Sequence, residues 1–112
     1  MASKLGIKVA HVEAGLRSFD RSMPEEINRI VTDSIADLLF TPSEDGDANL
    51  IREGIPKEKI KRVGNIMIDT LAANLEKARQ LKSGDRFGVK EKNYVFVTLH
   101  RPSNVDNEPS LS

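Results

Sequence analysis

The sequence predicts an α/β fold with a parallel sheet, and three observations carry that expectation. Short β-rich segments such as "IKVAHVE" alternate with longer segments of helical period. Each apolar segment runs directly into a polar loop. The last one, "YVFVTLH", is an unbroken apolar run of the kind that parallel sheets bury on both faces.

Residues 7–13, "IKVAHVE", read as a short strand that stops at Ala14-Gly15. In "PEEINRIVTDSIADLL" the residues Ile27, Ile30, Val31, Ile35 and Leu38 recur at three- and four-residue spacing, which predicts a helix with one apolar face. "DLLFTPS" is a very short second strand closed by Pro42. Ser43 is placed to cap a helix through "EDGDANLIRE" that ends at Gly54. "KIKRVGN" is a third short strand, and Asn65 can cap the longest helical pattern, with Ile68, Leu71, Ala72, Leu75, Ala78 and Leu81 on one face. "KSGDRFGVKEKN" has two glycines, many charges and little periodicity, and reads as a boundary loop. A new core strand then begins near residue 93. With three strands before the linker and a lone one after it, the chain is expected to be a segment of a longer, two-domain protein.

Composition narrows the function classes. Over 112 residues, 17 Lys and Arg balance 17 Asp and Glu, so charge selects neither nucleic acid nor an acidic membrane as partner. Cysteine is absent, which excludes disulfides and thiolate metal sites. The two histidines and the carboxylates show no calcium-loop spacing, so neither a metal nor a cofactor is expected. No window approaches the ~20 apolar residues of a membrane span, and the N-terminus lacks a signal-peptide run. A cytoplasmic protein is the expectation. The P-loop, G-x-G-x-x-G and G-x-S-x-G signatures do not occur.

Ligands of open α/β sheets sit outside the carboxyl ends of the strands, which singles out Glu13 and Arg17 after the first strand and His100 and Arg101 after the last. Glu13 directly follows an apolar strand, a setting that suits a general acid or base. Position alone equally allows a strand-end glutamate paired with Arg17 or with backbone N–H groups. Gly15 either supplies a positive φ and a close approach or simply turns the chain. Ser22-Met23-Pro24-Glu25 matches a capping box, with Glu25 folding back on the Ser22 N–H. Arg29 follows Glu25 and Glu26 at four and three residues, the spacing of an intrahelical pair. His100 and Arg101 offer a titratable donor and a fixed cation to an anion such as a phosphate, or form a polar strand exit before Pro102. His11, inside its strand, reads as a hydrogen-bonded histidine, either of the core or supporting a site residue from behind.

In combination, "HVEAGLRS", "MPEEINR", "FTPS", "NLIREGI", "VGNIMID" and "TLHRPSN" resemble the non-hydrolysing UDP-N-acetylglucosamine 2-epimerases, in order and approximate spacing. The resemblance implies two Rossmann-like domains facing a cleft, the glycosyltransferase-B-like arrangement. Residues 1–65 then correspond to the later part of the first domain, 66–92 to a connecting helix and linker, and 93–112 to the first strand and loop of the second domain. It also implies interconversion of UDP-N-acetylglucosamine and UDP-N-acetylmannosamine through 2-acetamidoglucal. Glu13 and Glu25 match carboxylates assigned to the proton work, and His100 matches a histidine that contacts the UDP phosphates. Arg17 and Arg101 are supporting cations for the substrate. Glu25 rather than Glu26 is matched by its place directly after proline. The expected partners are a UDP-sugar and, in the full-length protein, a second copy in a homodimer; the 112-residue segment alone is expected to be inactive. A hydrolysing epimerase, a related nucleotide-sugar glycosyltransferase and a non-catalytic α/β binding module are the competing readings.

Overall fold

The computed structural model describes residues 1–90 and 92–99. After an exposed 3-10 turn at Ala2–Leu5, the order is β1 (Ala10–Val12), α1 (Pro24–Ile35), β2 (Leu38–Thr41), α2 (Glu44–Arg52), a 3-10 turn (Lys57–Lys59), β3 (Ile60–Arg62), α3 (Ile66–Gln80) and α4 (Ser83–Arg86). The strands form one sheet in the order β1-β2-β3. Both pairings are parallel, with His11 opposite Leu39 and Phe40 opposite Lys61. Helices α1 and α2 are the crossovers that parallel neighbours require. The alternation expected from the sequence is therefore the observed one, with strands trimmed to the three or four residues that find partners.

The chain divides into two compact units, one from Met1 to Asn74 and one from Leu75 onward, with α3 crossing the division. In the first unit the core is small. Ala14, Ala36, Leu39 and Leu50 are buried, and Val9, Ile55 and Ile60 pack against them. Full burial of a leucine such as Leu39 or Leu50 contributes about 1.5–3 kcal/mol.

Two helix caps follow the sequence. Ser43 Oγ accepts from the Gly46 N–H at 3.4 Å at the start of α2, and Asn65 Oδ1 accepts from the Met67 N–H at 2.9 Å at the start of α3. Helix α2 ends before Gly54, whose φ of +86° is the left-handed conformation that terminates helices.

Three expectations require correction. The capping box at α1 does not form: the N–H and hydroxyl of Ser22 both donate to Asp20 Oδ1, at 2.9 and 2.6 Å, and Met23 occupies the cap position. Glu26, not Glu25, folds back, and it reaches beyond the helix to the Ser18 and Phe19 N–H groups, at 3.0 Å each. Two loop amides with no other acceptor present a better target for a carboxylate than one cap amide. The apolar stripe of α1 is also not its buried face. Val31 and Ile35 are about half exposed, whereas Glu26 and Asp33 are buried. They lie seven residues apart on one side of the helix, where hydrogen-bond donors of the preceding loop meet them.

In the second unit, the boundary segment contains the short helix α4, closed by the Val89 N–H donating to Gly84 O at 3.0 Å. The expected core strand is not found: Tyr94–Leu99 take no regular secondary structure, and Tyr94, Val95, Phe96, Val97 and Leu99 are exposed. A strand exists through the ladder it shares with a neighbour, and among the described residues of this unit there is no other strand. The rest of the expected second-domain opening, from His100, lies outside the described residues.

Candidate functional site

The loop between β1 and α1 holds the first-domain candidates, and its geometry begins with a strained turn. Glu13 leaves β1 with a φ of +66°, and Gly15 follows at +79°. A left-handed conformation costs an L-residue about 1–2 kcal/mol, so the surroundings must hold Glu13 there. Gly15 is required for a second reason: a Cβ at this position would meet the carbonyl oxygen of Gly46 at 2.3 Å. Of the two readings of Gly15, positive φ with close approach is the one the structure shows.

Asp33, 1% exposed in the third turn of α1, is the centre of the polar contacts. His11 Nδ1 donates to Asp33 Oδ1 at 2.5 Å. The Gly15 N–H donates to Oδ2 at 3.1 Å, and Arg17 reaches the same oxygen at 2.8 Å. The hydrogen bond expected of His11 is thus observed, with a carboxylate as its partner, but the ring is partly exposed and not part of the core. Asn49 of α2 donates to Gly15 O at 3.0 Å, and the Ala14 N–H donates to Phe40 O at 3.0 Å. No buried side-chain nitrogen or oxygen among the described residues lacks a partner.

Arg17 does not pair with Glu13. Its guanidinium forms a fork on Glu53, with Nε to Oε1 at 2.7 Å and NH2 to Oε2 at 2.6 Å, while NH2 also meets Asp33. The side chain is 1% exposed. The Glu53 hydrogen bonds raise the guanidinium's proton affinity most; burial opposes them, and Asp33 adds to the rise. Glu26 is held below the ordinary carboxylate range, first by the Ser18 N–H, against its own desolvation, and then by the Phe19 N–H. Arg29 lies 3.5 Å from Glu26, the intrahelical pair its spacing predicts.

The carboxylates of Glu13 and Glu25 contrast with these. Glu13 is half-buried and Glu25 exposed in the first turn of α1. Neither side chain makes a hydrogen bond or ion pair among the described residues. The structure places them at the two ends of one loop, whose middle is pinned by Glu26 and Asp33. His100 and Arg101 lie outside the described residues. Among the described residues no group of three or more metal-ligating side chains occurs, and no helix is long and apolar enough to cross a membrane.

Two hollows open on the first unit. One of about 300 Å³ is lined by Arg17, Phe19, Asp45, Asn49 and Arg52. The other, about 350 Å³ and lined by Glu44, Asp47, Lys57 and Arg62, contains none of the candidate residues. The first adjoins the β1–α1 loop at the end of the sheet where ligands of such folds are received.

Sequence reasoning missed Asp33, Glu53 and Glu26 as organisers of this loop. For the two residues on α1 a signal existed, since acids seven residues apart on a helix share a face. For Glu53 there was none, because its contact with Arg17 spans 36 positions.

A parallel sheet whose polar loops leave the carboxyl ends of its strands places the chain in the Rossmann-like class of α/β folds. A solved structure from Methanocaldococcus jannaschii, a UDP-GlcNAc 2-epimerase in complex with UDP-GlcNAc and UDP, matches with a TM-score of 0.86 and 53% identity, over 98% of this chain and 31% of that one. The fold is accordingly that of the glycosyltransferase-B-like structures. The family model for UDP-N-acetylglucosamine 2-epimerase matches residues 1–112, and the chain belongs to that family. The UDP-N-acetylglucosamine 2-epimerase of M. jannaschii is 52% identical over 99% of this chain. A Pseudomonas aeruginosa relative, UDP-2,3-diacetamido-2,3-dideoxy-D-glucuronate 2-epimerase, is 42% identical over 99%. The chain spans 31% of the length of each.

Proposed function

We propose that this chain forms one wall of the active site of a cytoplasmic, homodimeric enzyme that interconverts UDP-N-acetylglucosamine and UDP-N-acetylmannosamine. The observation that carries the reading is Glu13: a half-buried carboxylate with no partner of its own among the described residues, held in a left-handed turn at the carboxyl end of β1. Residues 1–65 belong to the first domain of that enzyme, 66–92 connect, and 93–112 open the second.

In the forward direction one carboxylate takes the C2 proton while the anomeric C1–O bond breaks. The bonding pair leaves on the β-phosphate oxygen of UDP, and the C1=C2 double bond of 2-acetamidoglucal forms. Re-addition of UDP to C1 with return of a proton to the opposite face of C2 gives the epimer. The two faces need two acid/base groups, for which Glu13 and Glu25 are the candidates. His100 and Arg101 supply donor and cation to the leaving diphosphate. Arg17, neutralised by Glu53 and Asp33, supports substrate by shaping the loop. The 112-residue segment holds one wall and no more than the opening strand and loop of the other, and is inactive alone.

The test is turnover of UDP-N-acetylglucosamine by the full-length enzyme in deuterated water. Deuterium at C2 of both recovered UDP-sugars is the expected result. Free N-acetylmannosamine with UDP would replace this reading by a hydrolysing one. Glu13→Gln is expected to reduce kcat by about 10²–10⁴-fold, and near wild-type turnover would return Glu13 to a structural role.

A further inference from the structure

We infer that Asp33 is the positioning residue for Glu13, an inference that rests on the acid/base reading of Glu13 above. Three bonds to Asp33 bracket that residue. His11 lies two positions before it, Gly15 two after and Arg17 four after, and all three donate to the one carboxylate, at 2.5, 3.1 and 2.8 Å. They take most of the lone-pair sites a carboxylate has. On the other side the turn is fixed by the Ala14 N–H on Phe40 O and by Asn49 on Gly15 O.

Every neighbour of Glu13 is thereby anchored, while its own carboxylate stays unengaged among the described residues and its backbone is strained at a φ of +66°. A strained turn held from both ends and tipped with a free acid is the arrangement that fixes a reacting group before substrate arrives. Asp33 is 1% exposed and surrounded by its three donors, so it acts through the turn and not by touching substrate.

An amide at this position accepts through one oxygen and turns its NH₂ against a donor. Asp33→Asn in the full-length enzyme should therefore release one end of the turn. The expected result is a fall in kcat of about 10–100-fold, with KM for UDP-N-acetylglucosamine changed less than about threefold because diphosphate contacts are made elsewhere. In a Glu13→Gln background the same substitution should cost less than about threefold more, since residues that act as a unit are not additive. His11→Ala, which removes one of the three donors, should give a smaller loss in kcat with the same non-additivity.

Wild-type kcat in Asp33→Asn, or its full loss repeated on top of Glu13→Gln, overturns the inference. So does failure of both Asp33→Asn and His11→Ala to fold, which would make the cluster a stability element. If Glu13→Gln is itself fully active, the proposed function has failed, a different outcome from additivity on an inactive Glu13→Gln enzyme.

Discussion

At the β1–α1 junction the buried side chains include two carboxylates, Glu26 and Asp33, whereas along α3 no residue is buried and Ile66, Met67, Ile68, Leu71 and Leu75 are exposed. The interior of the junction is polar because each of its two buried carboxylates is answered. Glu26 has two amides, and Asp33 has an imidazole, an amide and a guanidinium. Along α3 no apolar side chain is buried. The contrast teaches that in this chain burial follows the presence of a partner, not hydropathy: a carboxylate with a full set of donors goes inside, and a leucine with no neighbour stays out.

The largest way to break the junction is Gly15→Ala. The new Cβ would fall 2.3 Å from Gly46 O at a φ of +79°, and neither backbone can yield. A loss of about 3 kcal/mol or more is expected, read as a large drop in melting temperature or loss of folded protein.

Acid acts more gently, through Glu26. Its affinity for protons is lowered in the folded state, so its contribution is fully present above the ordinary carboxylate value of about 4.3 and is lost as pH falls through the lower folded value. Protection of the Ser18 and Phe19 amides from exchange should decline on acidification below ~4. In Glu26→Gln it should be weaker throughout and lose that pH dependence. Asp47 of α2, lowered first by the Thr41 hydroxyl and then by Arg62 of β3, titrates in the same direction and provides an internal control away from the loop.

The smallest effect is expected at α3. Leu71, 62% exposed, has little apolar contact to lose, so Leu71→Ala should change the stability of the 112-residue chain by no more than about 0.5 kcal/mol. A cost of 2 kcal/mol or more, of the size large-to-small core substitutions show, would mean that α3 is covered in solution, and would erase the contrast with the junction.

The legibility of the sequence divides along the same line. The caps Ser43 and Asn65 were readable because a cap is a contact between residues two or three positions apart. The same local logic failed at Ser22, where a loop folding back brought amides eight and seven residues away within reach of Glu26. Glu13 and Gly15 were legible as a strand exit, but not the turn's positive φ at Glu13, which an L-residue does not signal. Tyr94–Leu99 have the composition of a core strand, yet the pairing that would make them one is missing from the described residues.

By itself, then, the sequence determined the alternation of strands and helices, the two side-chain caps and the motifs that carry the family, because each is written in local spacing. Only the tertiary structure decided which carboxylates serve as anchors and which stay unengaged. Asp33 meets His11 across 22 positions and Arg17 meets Glu53 across 36. Contacts that long depend on how β1, α1 and α2 pack around one loop, and no local pattern encodes that packing.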